Sequence, residues 1–213
     1  MTMYFKDRTE AGQMLAARLK KYKGIPGVIL AVPRGGVPVA FEVAKELGLP
    51  IEMVLTKKIG HPLNKEYAIG AASLSDYFVI PHEHVDDAYI SQEVDKIRHK
   101  LKEQYVKFMG DREPESLTGK TVIIVDDGIA TGNTLLGTVR VLRKADPGKI
   151  VIAVPVASAD AVDKLSYEVD DVVAVIIPEE FYGVGAFYKD FEQVSDEEVL
   201  YYLDKWRKLK DTG

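Results

Sequence analysis

Along this chain, short runs of consecutive apolar residues alternate with longer segments whose apolar positions recur every three or four residues. The runs at 28–32, 51–56, 122–125, 150–154 and 172–177 are rich in valine and isoleucine. Continuous apolar character without alternation is the mark of strands covered on both faces, as in a parallel sheet. Between them lie helical patterns. Asp7 is placed to cap a first helix with Ala11, Leu15, Leu19 and Tyr22 on one face. A second pattern over 37–47 stops at Gly48 and Pro50. A third, over 91–109, carries Val94, Ile97, Leu101, Tyr105 and Phe108 at helical spacing, and a fourth spans 132–144. Ser195 caps a last helix with Asp196, Glu197 and Glu198 in its first turn. Residues 67–73 and 76–80 read as shorter strands that could pair as a hairpin. The alternation predicts an α/β fold, an open and mostly parallel twisted sheet flanked by helices, formed as one domain over 1–213.

Composition narrows the function without naming it. A hydrophobic content of 46% with 29% charged residues is that of a globular protein. The formal net charge of −5 makes nucleic acid an unlikely general partner, since nucleic-acid binding wants a basic surface. With no cysteine, disulfides and thiolate metal sites are excluded. No apolar run is long enough to span a bilayer and the N-terminus lacks the apolar core of a signal peptide, so no membrane partner and a cytoplasmic location are expected.

The candidate chemistry concentrates in one run, Val122-Ile-Ile-Val-Asp-Asp-Gly-Ile-Ala-Thr-Gly-Asn-Thr-Leu135. A buried strand delivers Asp126 and Asp127 at its carboxyl end. Gly128, Ala130 and Gly132 leave room for a ligand against the backbone, and Thr131 and Thr134 offer hydroxyls. The helix that opens next presents unpaired N–H groups and the positive end of its dipole, which suits a phosphate. A βα unit whose acids merely cap a helix is the plain alternative. The adjacent acids, the small-residue loop and the preceding strand together favour a phosphorylated sugar. The run is neither a P-loop nor a dinucleotide fingerprint, because it lacks both spacings.

The run resembles the phosphoribosyl-pyrophosphate (PRPP) signature of the type I phosphoribosyltransferases, and the likeness extends over most of the chain. It is nearest to a group of predicted phosphoribosyltransferases without an assigned acceptor. The resemblance implies a sheet of that family's fold with a small hood. It assigns Asp126 and Asp127 to the ribose hydroxyls, and Gly128, Ile129, Ala130, Thr131, Gly132, Asn133 and Thr134 to the 5′-phosphate. It further implies Mg²⁺ as cofactor, with Asp126 and Asp127 as candidates to meet the ion through the ribose hydroxyls, PRPP and a small-molecule acceptor as partners, and a possible homodimer.

Three further segments fall into place beside that signature. Ala31-Val-Pro-Arg-Gly-Gly-Val-Pro38 follows the first strand, on the rim where ligands of parallel sheets collect. Arg34 offers a planar fork, and Gly35 and Gly36 offer backbone N–H groups, for a pyrophosphate. The resemblance implies a non-proline cis peptide here, expected at Arg34–Gly35. The polar segment over 56–66 reads as a loop, and the resemblance makes about 58–66 a flexible flap with Lys57 and Lys58 at its root. Lys57 is the preferred catalytic cation of the two, and His61 and Glu66 are candidates for proton transfer. The aromatic-rich stretch over 178–191 would form the hood together with N-terminal residues, with Phe181 and Tyr182 stacking on the acceptor. His82, His84 and Asp86 form a fainter metal candidate, more simply read as a polar loop.

One departure limits the acceptor. Enzymes of the family that act on 6-oxopurines place an acid where this chain has Ala130, which argues against hypoxanthine and guanine. The expected activity is transfer of a phosphoribosyl group from PRPP to an unidentified acceptor, a nitrogen heterocycle, with release of diphosphate. The alternative is a PRPP- or nucleotide-sensing regulator without turnover.

Overall fold

The computed structural model describes residues 4–211. In chain order the elements are α1 (Arg8–Arg18), β1 (Gly27–Ala31), α2 (Gly36–Leu47), β2 (Ile51–Met53), β3 (Lys57–His61), β4 (Asn64–Ala72), β5 (Tyr77–Val79), α3 (Asp87–Met109), β6 (Thr121–Val125), α4 (Asn133–Leu142), β7 (Lys149–Val156), α5 (Ala159–Ser166), β8 (Asp171–Ile176) and α6 (Asp196–Asp211). Five strands form a parallel sheet in the order β2-β1-β6-β7-β8, and β3, β4 and β5 form a separate antiparallel sheet. The expected mixed architecture is therefore present.

Alternation along the central strands splits the core in two, because successive side chains point to opposite faces. Ile29, Ala31, Ile123, Val125, Val151 and Ala153 face one way, against Leu15, Val39, Phe41, Leu101, Leu203 and Trp206 of α1, α2, α3 and α6. Val28, Leu30, Val122, Ile124, Ile150 and Ile152 face the other way, against Leu135, Val139, Ala161 and Leu165 of α4 and α5. Covering both faces is why the strands read as continuous apolar runs.

Several boundaries differ from the sequence pattern, each for a local reason. The second strand, expected to reach 56, stops at Met53. It is an edge strand whose only neighbour ends at Ala31, paired with Met53, so there is no ladder left to extend. The polar segment after it is not a loop. Lys57–His61 is a strand that pairs with β4, and only Ile59 and Gly60 in it are buried, so apolar pattern could not reveal it. Residues 67–73 and 76–80 do pair as an antiparallel hairpin, as expected. Helix α3 begins at Asp87 rather than 91, because the Asp86 carboxylate accepts from the Tyr89 N–H at 2.7 Å. Helix α5 was not foreseen. Of its eight residues only Ala161 and Leu165 are fully buried, and Ser158 caps it.

Candidate functional site

The carboxyl ends of β1 and β6 lie side by side in register, Ala31 opposite Val125, and this juxtaposition builds the site. At the end of β6 the Asp127 N–H donates to the Asp126 carboxylate at 2.8 Å, fixing the two acids as a unit. Burial pushes the Asp126 carboxyl well above the usual carboxylate range, and the neighbouring Asp127 charge pushes it further. Asp127 is also raised by burial, against which the Arg8 guanidinium pulls it down.

The β1–α2 turn presses against these acids. A Cβ on Gly35 would lie 2.1 Å from Asp127 Oδ2, and one on Gly36 would lie 2.6 Å from the Val125 carbonyl oxygen, so the double glycine is a requirement of close approach. The cis peptide bond is Pro33–Arg34, one bond earlier than expected. The Arg34 carbonyl already accepts from the Val37 N–H, and Gly35 has helical angles, so the Arg34–Gly35 bond belongs to the first turn of α2.

The loop after Asp127 behaves as two halves. Ile129 does not offer its backbone to a ligand: its N–H donates to the Val156 carbonyl, its C=O accepts from Ser158 N–H, and its side chain is buried. That corrects its expected place among the phosphate donors. It anchors the loop to the end of β7 instead. Residues 130–134 are different, since none of their N–H groups donates to another described residue. Gly132 supplies the turn into α4 with φ of 70°, a conformation that other residues adopt only at a cost. Ala130, Thr131, Asn133 and Thr134 are exposed around it. The result is a run of unpaired donors at a helix start, built for an anion. Lys164, from the unforeseen α5, bonds to the Asn133 side chain and brings a cation to its edge.

On the other side of the acids, Arg34 and Lys57 share a cavity of about 500 Å³ with Lys100, Lys107 and Asp196. The Asp196 carboxylate is held by Arg34 at 3.4 Å and by Lys107, so it sits among the cations of this cavity. Lys58 is not among the residues that line it. It sits next to Lys57 on a strand, which turns it to the opposite face, and it pairs with Glu66 at 2.7 Å. His61 packs near Tyr67 and His82 at the hairpin end.

The two stretches expected to form a hood lie against each other. Phe5 pairs with Tyr188, with Phe5 N–H donating to Phe187 C=O and Lys189 N–H to Phe5 C=O. The Tyr188 hydroxyl donates to the Asp127 carbonyl at 2.6 Å. Phe181 and Tyr182 are not brought to the acids. Phe181 packs on Phe187, and Tyr182 is 80% exposed with its hydroxyl on Glu180. Their ring character marked the right segment, but the chain turns so that Tyr188 and Phe191 face the site.

The residue that sequence reasoning missed outright is Arg8. Its Nε donates to Asp127 Oδ2 at 2.9 Å, its Nη1 donates to the Glu192 carbonyl at 2.8 Å, and its guanidinium lies 4.0 Å from the Phe191 ring centre. A lone arginine at a helix start carries no motif, and only the fold brings it 119 residues along the chain to Asp127.

Two carboxylates with no third ligand do not make a bare metal cage, and among the described residues no group of three or more His, Asp or Glu is arranged to hold an ion. The His82, His84 and Asp86 candidate is resolved accordingly: Asp86 caps α3, and His82 bonds to Ile80 C=O and Tyr67. The chemistry of the two acids fits Mg²⁺, which takes oxygen ligands: Asp126 and Asp127 are the residues that would hold it, and it would supply positive charge beside them. No helix among the described residues is long and apolar enough to cross a membrane.

Comparison with known proteins agrees with this geometry. The chain is 39% identical over 206 residues to a Mycobacterium tuberculosis protein, found in two strains, that is assigned by name to the phosphoribosyl transferases. The match covers 94% of this chain and 46% of that protein, so the chain spans about half the length of those relatives. The crystal structure of TT1426 from Thermus thermophilus superposes with a TM-score of 0.83 at 38% identity, covering 96% of this chain and 99% of that one. A transcriptional regulator of Methanococcus maripaludis is 26% identical over 141 residues, 66% of this chain and 50% of its own length. Residues 7–190 match the phosphoribosyl transferase domain, and on that span the chain belongs to the phosphoribosyl transferase family.

Proposed function

We propose that the chain binds PRPP with Mg²⁺ and transfers its phosphoribosyl group to a nitrogen heterocycle, releasing diphosphate. The observation that carries the reading is the run of unpaired N–H groups at 130–134 directly beside the half-buried Asp126–Asp127 pair. In this reading the 5′-phosphate lies on Thr131, Gly132, Asn133 and Thr134, the ribose hydroxyls on the two acids, and the diphosphate against Arg34, Gly35, Gly36 and Lys57. The acceptor nitrogen gives its electron pair to C1 of the ribose. The C1–oxygen bond breaks with its electrons on the diphosphate, and the acceptor's N–H proton passes to water or to the departing diphosphate. Positive charge gathers on the sugar and negative charge on the leaving group. The acids serve the first, while Arg34, Lys57 and bound Mg²⁺ serve the second. Asp196, already seated on Arg34 and Lys107, must give way to the incoming diphosphate.

Titration calorimetry with PRPP and Mg²⁺ tests the binding. Thr131→Ala should weaken PRPP by about 1–3 kcal/mol, the worth of a hydrogen bond to a charged group. Unchanged affinity in both Thr131→Ala and Asp127→Asn would remove the assignment. The partial likeness to the Methanococcus maripaludis regulator supports a second reading, in which the same cradle senses PRPP or a nucleotide without turnover. Diphosphate release with any member of a broad base panel decides for the enzyme, and tight PRPP binding with no release decides for the sensor.

A further inference from the structure

The phosphate cradle and Lys57 belong to different parts of the fold. The cradle leads into α4, which covers one face of the parallel sheet. Lys57 is the first residue of β3, in the antiparallel sheet. A pair of buried hydroxyls joins the two. Thr138 of α4 is 1% exposed. Its Oγ1 donates to the Thr134 carbonyl at 3.1 Å and lies 2.7 Å from Thr56 Oγ1. A threonine hydroxyl has one proton and two lone pairs. With the Thr138 proton on Thr134, the Thr56 hydroxyl is the donor of the second bond. The relay therefore runs from Thr56 through Thr138 to the Thr134 carbonyl. It starts at the residue directly before Lys57, ends inside the cradle, and closes a separation of 82 residues.

Among the described residues no other hydrogen bond joins α4 to residues 54–79. Elsewhere the two parts meet by packing. A Cβ on Gly137 would lie 3.5 Å from the Ala71 Cβ, an ordinary contact, and the Arg140 guanidinium lies 5.8 Å from the Phe78 ring centre. Apolar packing is non-directional, so it resists sliding weakly. A hydrogen bond weakens steeply off its line, so the relay sets where the start of β3 stands along α4. PRPP carries phosphate at both ends of its ribose, and a site for it must hold two anion receptors at a fixed span. A misplacement of about 1 Å in such a site can cost about a hundredfold. Thr56 itself lines a separate cavity of about 320 Å³ and not the one that Lys57 shares with Arg34. We propose that Thr56 is a positioning residue for PRPP: it touches no part of the ligand, and through Thr138 it fixes the span between Lys57 and the cradle. The proposal rests on the phosphoribosyl-transfer reading above and adds the residues that set its geometry.

Thr56→Val keeps the branched shape and deletes one bond only, since Thr138 retains its bond to Thr134. Calorimetry with Mg²⁺ and two ligands separates the roles. PRPP spans both receptors, whereas ribose 5-phosphate lacks the diphosphate and reaches only the cradle and the acids. Failure of the parent protein to bind PRPP would sink the transfer reading and this inference with it. With PRPP bound, Thr56→Val should weaken it about fivefold or more, the worth of one net hydrogen bond, and leave ribose 5-phosphate nearly unchanged. Thr56→Ala should repeat the loss and Thr56→Ser should repair most of it. Lys57→Ala should also weaken PRPP, and in that background Thr56→Val should cost little more, because the two act through one contact. The inference is overturned, with the transfer reading left standing, by a loss that falls equally on both ligands, that adds in full to the loss in Lys57→Ala, that Thr56→Ser does not repair, or that is absent.

Discussion

At the scale of single residues, the site is a set of charges that satisfy one another before any ligand arrives. Asp126 is outside these pairs: among the described residues no cation bonds it, and its carboxylate accepts from the Asp127 N–H alone. Its native proton affinity is therefore raised above that of the unfolded chain. The folded protein holds this proton where the unfolded chain has already lost it, so the stability linked to Asp126 is full below its ordinary titration range and declines as pH rises through the native value. Asp126→Asn keeps an oxygen for the Asp127 N–H and removes the charge. The variant should melt progressively higher than the parent as pH rises above the ordinary carboxylate range, while binding PRPP more weakly; parallel melting curves in calorimetry would contradict this. The acids and the double glycine were legible in the sequence because they sit in one contiguous run each. Arg8 and Lys164 were not, since each reaches the site from a different element and neither carries a local signature; Phe191 lay in the aromatic stretch, but its composition did not tell which ring faces the acids.

At the scale of elements, every buried strand of the central sheet announced itself, and the failures were the half-exposed or very short pieces. The hairpin of β3 and β4 is the clearest case. Its pairing is written in backbone hydrogen bonds and not in apolar spacing, so a polar sequence concealed a strand. Ile59, Ile69 and Ala72 pack it into the main core, and two polar links tie it to α3: the Lys65–Glu93 ion pair at 3.2 Å, and the Tyr89 hydroxyl, which donates to the Gly60 carbonyl at 2.5 Å and receives Lys65 at 2.6 Å. Tyr89→Phe deletes both bonds of that hydroxyl and leaves the ring beneath the Lys65 ammonium. Loss of a net hydrogen bond of this kind costs about 0.5–1.5 kcal/mol. That cost should fall on the hairpin alone, so trypsin should cut at Lys65 several times faster with the main thermal transition nearly unmoved. An unaltered cleavage rate would show that the hairpin is held without that hydroxyl.

At the scale of the whole molecule, the parallel sheet carries two large cores, while the cover over the acids has a small one of its own. Phe5, Ala11, Val156, Phe187 and Tyr188 form a cluster distinct from those on the two sheet faces. Fold class and the position of the acids follow from continuous runs, which the sequence displays. The cover follows from a meeting of residues near 5 with residues near 188, and no local pattern encodes that. So few buried side chains cannot lend the cover the stability of the sheet. It should behave as a separate cooperative unit. The amides of Phe5, Lys189 and Asp190, though hydrogen-bonded, should exchange with deuterium through a local opening insensitive to low denaturant, while those of β1 and β6 exchange only on global unfolding. Exchange of all these amides at one common free energy would show that the molecule opens as a single piece. If the cover does open alone, the acids of the site meet solvent at a rate set by five side chains and not by the sheet that carries them.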